Sequence, residues 1–162
     1  MKSSVVIGVG NPTIADDALG LEVARRLRLK LAGRRGVTVS EVYNGGFELM
    51  EAMAGFDEAV LVDAIVTGAA PGTIHRLTLD EVSSCRNTST THNGSISVAM
   101  EFGRMSGMKI PATVRVWAVE AGDVATFREG LTPEVEEAVP VVTAEILEEL
   151  FSHQYEAGRL DS

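Results

Sequence analysis

The sequence is poor in cysteine, in basic residues and in long apolar runs. Its one cysteine, Cys85, cannot form a disulfide within the chain, which suits a reducing compartment such as the cytoplasm. Lys and Arg number 14 against 23 Asp and Glu, and the resulting net charge of −9 disfavours general nucleic-acid binding. No apolar run approaches the ~18 residues of a membrane span, and the N-terminal residues lack a signal-peptide cleavage pattern. We therefore expect a cytoplasmic protein without nucleic-acid or membrane partners.

What the sequence does contain is a regular alternation of apolar strands with amphipathic helices. The predicted strands are residues 4–9, 37–43, 58–66, 73–77 and 113–119. The predicted helices are residues 17–31, 47–54, 95–105 and 132–150, the last with Thr132 as N-cap and Pro133 at its first position. Residues 80–94 are polar and predicted to be irregular. This alternation predicts one three-layer α/β domain over residues 1–153, with a mostly parallel sheet, and a C-terminal tail of residues 154–162.

The segment GVGNPTIADDALG, residues 8–20, is close to a phosphate-binding turn. Gly8 and Gly10 begin a G-x-G-x-x-G pattern between a strand and a helix, but the third glycine position holds Thr13. Asp16 and Asp17 would repel a pyrophosphate there by on the order of kcal/mol. A dinucleotide-binding Rossmann-like protein is therefore the less favoured alternative. Helix capping, worth ~0.3–1 kcal/mol, explains one aspartate and leaves the other to face the crevice.

Two more polar residues are expected at the same edge of the sheet, because open α/β sheets bind ligands outside the carboxyl ends of their strands. Asp63 follows the apolar run of residues 59–62 within its predicted strand, and His92 precedes the helix predicted from residue 95. Each residue alone is explained by capping a turn or a helix. Together, Asp17, Asp63 and His92 supply two carboxylates and an imidazole, a set that suits a divalent transition metal or acid/base chemistry.

The order of these motifs resembles the hydrogenase maturation proteases, endopeptidases that process the large subunit of nickel–iron hydrogenases. The likeness extends from Val5 to about Leu150. It rests on residues 8–20, the segment NGGFEL at residues 44–49, the segment VLVDAIVTGAAPGTIHRL at residues 60–77, Thr91-His92, and a last helix with an internal proline.

The resemblance implies a twisted, mostly parallel sheet of about five strands flanked by helices, phosphorylase/hydrolase-like in type. It further implies that Asp17, Asp63 and His92 bind a metal ion in the free protein and form the catalytic site of an aspartic-type endopeptidase. The implied substrate is a nickel-loaded [NiFe]-hydrogenase large-subunit precursor, which loses a short C-terminal extension. No cofactor of the protease's own is expected to be required, since nickel arrives with the precursor.

Three points remain open from the sequence alone. The histidine segment, residues 90–94, is more polar than the family pattern and carries an extra glycine, which bears on substrate preference more than on the ligand. A non-catalytic nickel-sensing or chaperone module of hydrogenase assembly, using the same three residues, is an alternative that would leave the precursor's mass unchanged. Of the two adjacent acids, Asp16 is expected to serve the turn or the helix start and Asp17 the metal.

Overall fold

The sheet has five strands, nearly all parallel. The computed structural model describes residues 2–43, 45–84 and 96–157. Its strands are β1 (Ser4–Val9), β2 (Val37–Val42), β3 (Glu58–Ile65), β4 (Ile74–Thr78) and β5 (Thr113–Glu120). They lie in the order β2-β1-β3-β5-β4, and only the edge strand β4 runs antiparallel to its neighbour. The mostly parallel sheet predicted from the alternation of strands and helices is confirmed.

The helices are α1 (Leu19–Lys30), α2 (Gly46–Met53), α3 (Leu79–Ser84), α4 (Ile96–Met105) and α5 (Pro133–Ala157). A short 3₁₀ helix, Ala15–Ala18, precedes α1, so the helix predicted from residue 17 begins later and both aspartates lie in the 3₁₀ turn. Helix α5 continues beyond the predicted residue 150. None of the helices formed by the described residues is long and apolar enough to cross a membrane.

Helix α3 corrects the prediction that residues 80–94 are irregular. The amide of Thr78 donates to Glu81 Oε2 at 2.7 Å, and the amide of Glu81 donates to Thr78 Oγ1 at 3.2 Å. This reciprocal pair is a capping box, which satisfies amides at the helix start and nucleates a helix in a polar sequence. Residues 85–95, with Cys85 and His92, lie outside the described residues.

Each face of the sheet carries its own hydrophobic core. Helices α1 and α5 cover one face, where Val6, Val62 and Trp117 are buried. Helices α2 and α4 pack on the other face, with buried residues that include Ile7 and Leu61. Because successive side chains of a strand point to opposite faces, a strand covered on both sides is largely apolar, as β1 and β3 are at residues 5–9 and 59–62. The predicted three-layer arrangement is therefore confirmed.

The chain after β1 lies in backbone contact with the ends of β1 and β3. A Cβ atom placed on Gly20 would lie 2.3 Å from the carbonyl oxygen of Val62 and 2.4 Å from that of Val9. One on Gly10 would lie 2.0 Å from the carbonyl oxygen of Asp17. No side chain fits at either position, so glycine allows residues 17–20 to rest directly on the sheet. This contact places the acidic turn at the carboxyl edge.

The close backbone contact at Gly20 predicts that one added methyl group there strongly lowers the stability of the fold. Gly20→Ala should lower the free energy of unfolding by about 2–3 kcal/mol, because its new methyl group meets backbone atoms that cannot move separately. Gly103→Ala in α4 is the matched control, since its nearest neighbours are the side-chain ends of Ile110 and Met50. That variant should stay within about 1 kcal/mol of the wild type. Urea unfolding measures both, and equal effects would contradict the packing argument.

Candidate active site

The acid fully buried in the 3₁₀ turn is Asp16, with 0% of its surface exposed. Its Oδ2 accepts hydrogen bonds from the amides of Gly122 and Asp123, both at 2.8 Å, and its Oδ1 accepts one from the amide of Thr132 at 2.7 Å. The Thr132 hydroxyl donates to the same carboxylate. Neither the 3₁₀ turn nor α1 has a side-chain cap. Of the expectation that Asp16 serves the turn or the helix start, the helix-start part is therefore wrong, because its side chain caps neither helix.

Instead, Asp16 fastens the turn to a distant loop, residues 121–132, which joins β5 to α5. The carbonyl of Thr132 accepts the first helical hydrogen bond of α5, from Glu136 at 2.9 Å, which confirms Thr132 at the N-cap position. Its hydroxyl, however, is engaged by Asp16. A single buried carboxylate thus orders both the loop and the helix start, because it needs several donors and the loop supplies them.

Asp17 differs from its neighbour because it is only partly buried. Its backbone closes the turn: its amide donates to the carbonyl of Ile14 at 2.9 Å, and its carbonyl accepts from the amide of Asn11 at 3.2 Å. The side chain of Asn11 in turn accepts from the amide and hydroxyl of Thr13 at 3.0 and 2.7 Å. The loop before Asp17 is therefore held by its own residues, and the position of Asp17 is set by backbone hydrogen bonds.

Asp63 lies near the carboxyl end of β3 and is 8% exposed. Strand alternation directs its side chain to the same face as Leu61, towards α2 and α4. Its Oδ1 accepts a hydrogen bond from the amide of Ala64 at 2.8 Å. It borders a narrow pocket whose other lining residues are apolar, among them Val9, Leu49, Leu61, Leu79, Val82, Val116 and Ala118. A carboxylate in such surroundings interacts strongly with any cation that reaches it.

The structure brings Asp17 and Asp63 to one edge of the sheet. Gly20 touches the backbone of Val62, the residue before Asp63, and the turn containing Asp17 leads directly into that contact. His92, the third predicted site residue, lies outside the described residues. Within the described ranges no three His, Cys, Asp or Glu side chains form a group that can hold a metal ion. A metal ion bound by the two aspartates would need ligands from outside the described residues.

Glu120 is a third buried acid at this edge, after Asp16 and Asp63, and the sequence pattern did not single it out. It is 1% exposed, accepts from the amide of Thr67 at 2.9 Å and from its hydroxyl, and lies 3.3 Å from His75 Nε2. The signal that could have found it is the one that marks Asp63, an acid after an apolar strand. The donors to Glu120 come from the turn between β3 and β4, so its role is to hold that turn.

Comparison with known proteins shows which family this chain belongs to. The family model described as HycI, hydrogenase maturation protease, matches residues 4–149. The chain belongs to the hydrogenase maturation protease family. It is thus a hydrolase of the endopeptidase class, and the resemblance inferred from its motifs is confirmed.

Individual members of the family are similar over nearly the whole chain. The hydrogenase 2 maturation protease of Escherichia coli K12 is 28% identical over 155 residues, which cover 94% of this chain and 93% of that protein. The structure of the hydrogenase maturating endopeptidase HybD from E. coli has a TM-score of 0.78 at 27% identity, with 93% of each chain covered. The maturation protease HycI from Thermococcus kodakarensis KOD1 shares the fold, with a TM-score of 0.67 at 22% identity over 91% of each chain.

In this maturation protease, replacing each of the two adjacent aspartates by asparagine should change the stability by different amounts. Asp16→Asn replaces one acceptor oxygen by an NH₂ group that faces N–H or O–H donors, so it should lower the free energy of unfolding by about 2–3 kcal/mol. Asp17→Asn, the matched control, should cost less than about 1 kcal/mol, because the residue is only partly buried. Chemical denaturation of both variants measures the difference. A larger loss for Asp17→Asn would contradict the assignment.

The stability that the loop at residues 121–132 contributes should fall at low pH. The hydroxyl of Thr126, followed by the amides of Ala125 and Thr126, lowers the pKa of Asp123 from 3.8 to about 2. Because the folded-state pKa is depressed, the stability that Asp123 contributes is complete above pH 3.8 and is lost as the pH falls from there towards 2. The difference in unfolding free energy between wild type and Asp123→Ala should shrink over that window. A difference independent of pH would contradict this prediction.

Proposed function

We propose that this chain is the endopeptidase that removes the C-terminal extension of a nickel-loaded [NiFe]-hydrogenase large-subunit precursor. We further propose that Asp17, Asp63 and His92 recognise the nickel bound by that precursor. The observation that carries the proposal is the acidic turn packed on the ends of β1 and β3, in a chain that matches the family over residues 4–149. The similarity to a hydrogenase 2 maturation protease supports a hydrogenase as the protein processed.

The donor set fits nickel carried by a substrate. Carboxylate oxygens and an imidazole nitrogen suit divalent transition metals, and two aspartates with one histidine leave positions for the precursor's own ligands. If the precursor supplies the ion and the remaining ligands, cleavage would depend on that partner. Recognition would then be conditional on a loaded precursor, and no resident cofactor would be required. A divalent ion can occupy the same donors in the free protein.

The third ligand is proposed from its place in the sequence. Helix α4, which follows His92 along the chain, begins at Ile96, and Ile96 is fully buried in the core on the face to which Asp63 points. The chain therefore enters α4 on the same side of the sheet as Asp63. This supports His92, rather than His75, as the imidazole of the site, because His75 is paired with Glu120.

For the hydrolytic step we assign proton transfer to a carboxylate. Asp63 is oriented by the amide of Ala64, and the apolar walls around it strengthen its interaction with a bound water or peptide. Asp17, being more exposed, lies where the tail of a substrate can reach it. Gly45 and Gly46 at the start of α2 allow an extended tail to approach the backbone closely. Activation of water by one of the two aspartates would make this an aspartic-type endopeptidase.

Substitution of the three residues tests the site. Asp17→Asn, Asp63→Asn and His92→Ala should each lower the rate of cleavage of nickel-loaded precursor by about 100-fold or more, because each removes a ligand or a proton acceptor. Asp57→Asn is the matched control, since Asp57 precedes β3 at the opposite edge and bonds Ser3 and Lys109. Its rate should stay close to that of the wild type. Mass spectrometry of the precursor follows the cleavage.

The metal dependence is tested with the wild-type protease and two forms of the precursor. Nickel-loaded precursor should be cleaved, and precursor prepared without nickel should not, because the proposed ligands then have no ion to engage. Equal cleavage of both forms would contradict nickel recognition. Undiminished cleavage by all three folded variants would contradict the assignment of the site.

A further inference from the structure

Four large apolar side chains form an exposed patch on the outer surface of α2 and α4. Phe47, Val98, Phe102 and Met105, hereafter the aromatic patch, are 53%, 67%, 54% and 80% exposed. The rings of Phe47 and Phe102 meet edge to face, with centroids 5.6 Å apart and an interplanar angle of 77°. Side chains from two separate helices thus make one continuous apolar surface.

The patch is not required by the core beneath it. Ile96, Ala99, Met100 and Gly103 already turn one side of α4 into the protein. Val98, Phe102 and Met105 recur at i, i+4 and i+7 on another side, which makes a second apolar stripe about 10 Å long. A surface helix needs only one apolar side to fold onto its domain. A second, exposed one is typical of a surface that contacts another molecule.

The position of the patch connects it with the candidate active site. Helix α2 leaves the carboxyl end of β2, and α4 leads into the amino end of β5, so both helices begin at the edge where Asp63 lies. Phe47 is in the first turn of α2 and Val98 in the first turn of α4. The patch therefore starts beside the site and extends away from it. A molecule whose tail enters the site would also meet the patch.

We propose that the aromatic patch docks the folded body of the large-subunit precursor while the tail of that precursor enters the site. This rests on the proposed function. Glu51 lies one turn after Phe47, so an acidic side chain borders the patch on α2 in a protein of net charge −9, whereas Glu101 beside Phe102 is paired with Arg104 at 3.6 Å. The surface that fits is apolar and bordered by Lys or Arg. The protease would then bind a folded precursor much better than the isolated C-terminal peptide.

The test is binding and cleavage of nickel-loaded precursor by the double variant Phe102→Gln/Met105→Gln. Both side chains are more than half exposed, and glutamine is a good helix former, so the fold should be retained. The dissociation constant and KM should each rise at least about 10-fold, with kcat unchanged. The matched control is Leu29→Gln, because Leu29 is 81% exposed on α1, on the other face of the sheet. It should bind like the wild type.

A second variant tests the charge at the border without removing apolar surface. Glu51→Lys should weaken binding of the same precursor, and the loss should shrink as salt is raised, because exposed charges are screened. Wild-type binding by both variants would overturn the proposal. A wild-type dimer that the double variant separates would also overturn it, in favour of a second copy of this chain. Binding through the patch without cleavage would refute the proposed function and leave the docking surface supported.

Discussion

Direct contact between backbones, with no side chain between them, determines where the acidic turn of the candidate site lies. Gly10 and Gly20 let the chain after β1 rest on the ends of β1 and β3 at distances that exclude any Cβ atom. Consequently the turn with Asp17 is held against β3, beside the residue that precedes Asp63. Without that contact α1 would lie farther from the sheet, and the carboxylates of Asp17 and Asp63 would not lie at the same edge.

A second constraint follows from the burial of Asp16. A carboxylate without access to water must be surrounded by donors, and the loop before α5 provides the amides of Gly122, Asp123 and Thr132. In a dinucleotide fold, backbone amides at such a turn bind the phosphates of a ligand. Here amides of the loop bind an anion that belongs to the chain itself. Asp17, half-buried in the same turn, adds a second carboxylate there, which disfavours a phosphate ligand.

Sequence patterns predicted the fold well because strands covered on both faces are largely apolar, as residues 59–62 of β3 are. They also singled out Asp63 as an acid after a run of apolar residues, and its place in the catalytic site stays a prediction. The 3₁₀ turn and the capping box of α3 were missed because both depend on local hydrogen bonds rather than on apolar periodicity. The donors to Asp16 lie more than a hundred residues away, so no local pattern predicts them.

The central claim is that Asp17, Asp63 and His92 cleave a hydrogenase precursor at this edge of the sheet. The intact mass of that precursor tests it most directly. After incubation of the nickel-loaded large subunit with this protein, the account predicts a lower mass, with the C-terminal extension recovered as a separate peptide. An unchanged precursor mass, with the protein folded and the precursor bound, would contradict the account and indicate a module that binds the loaded subunit without processing it.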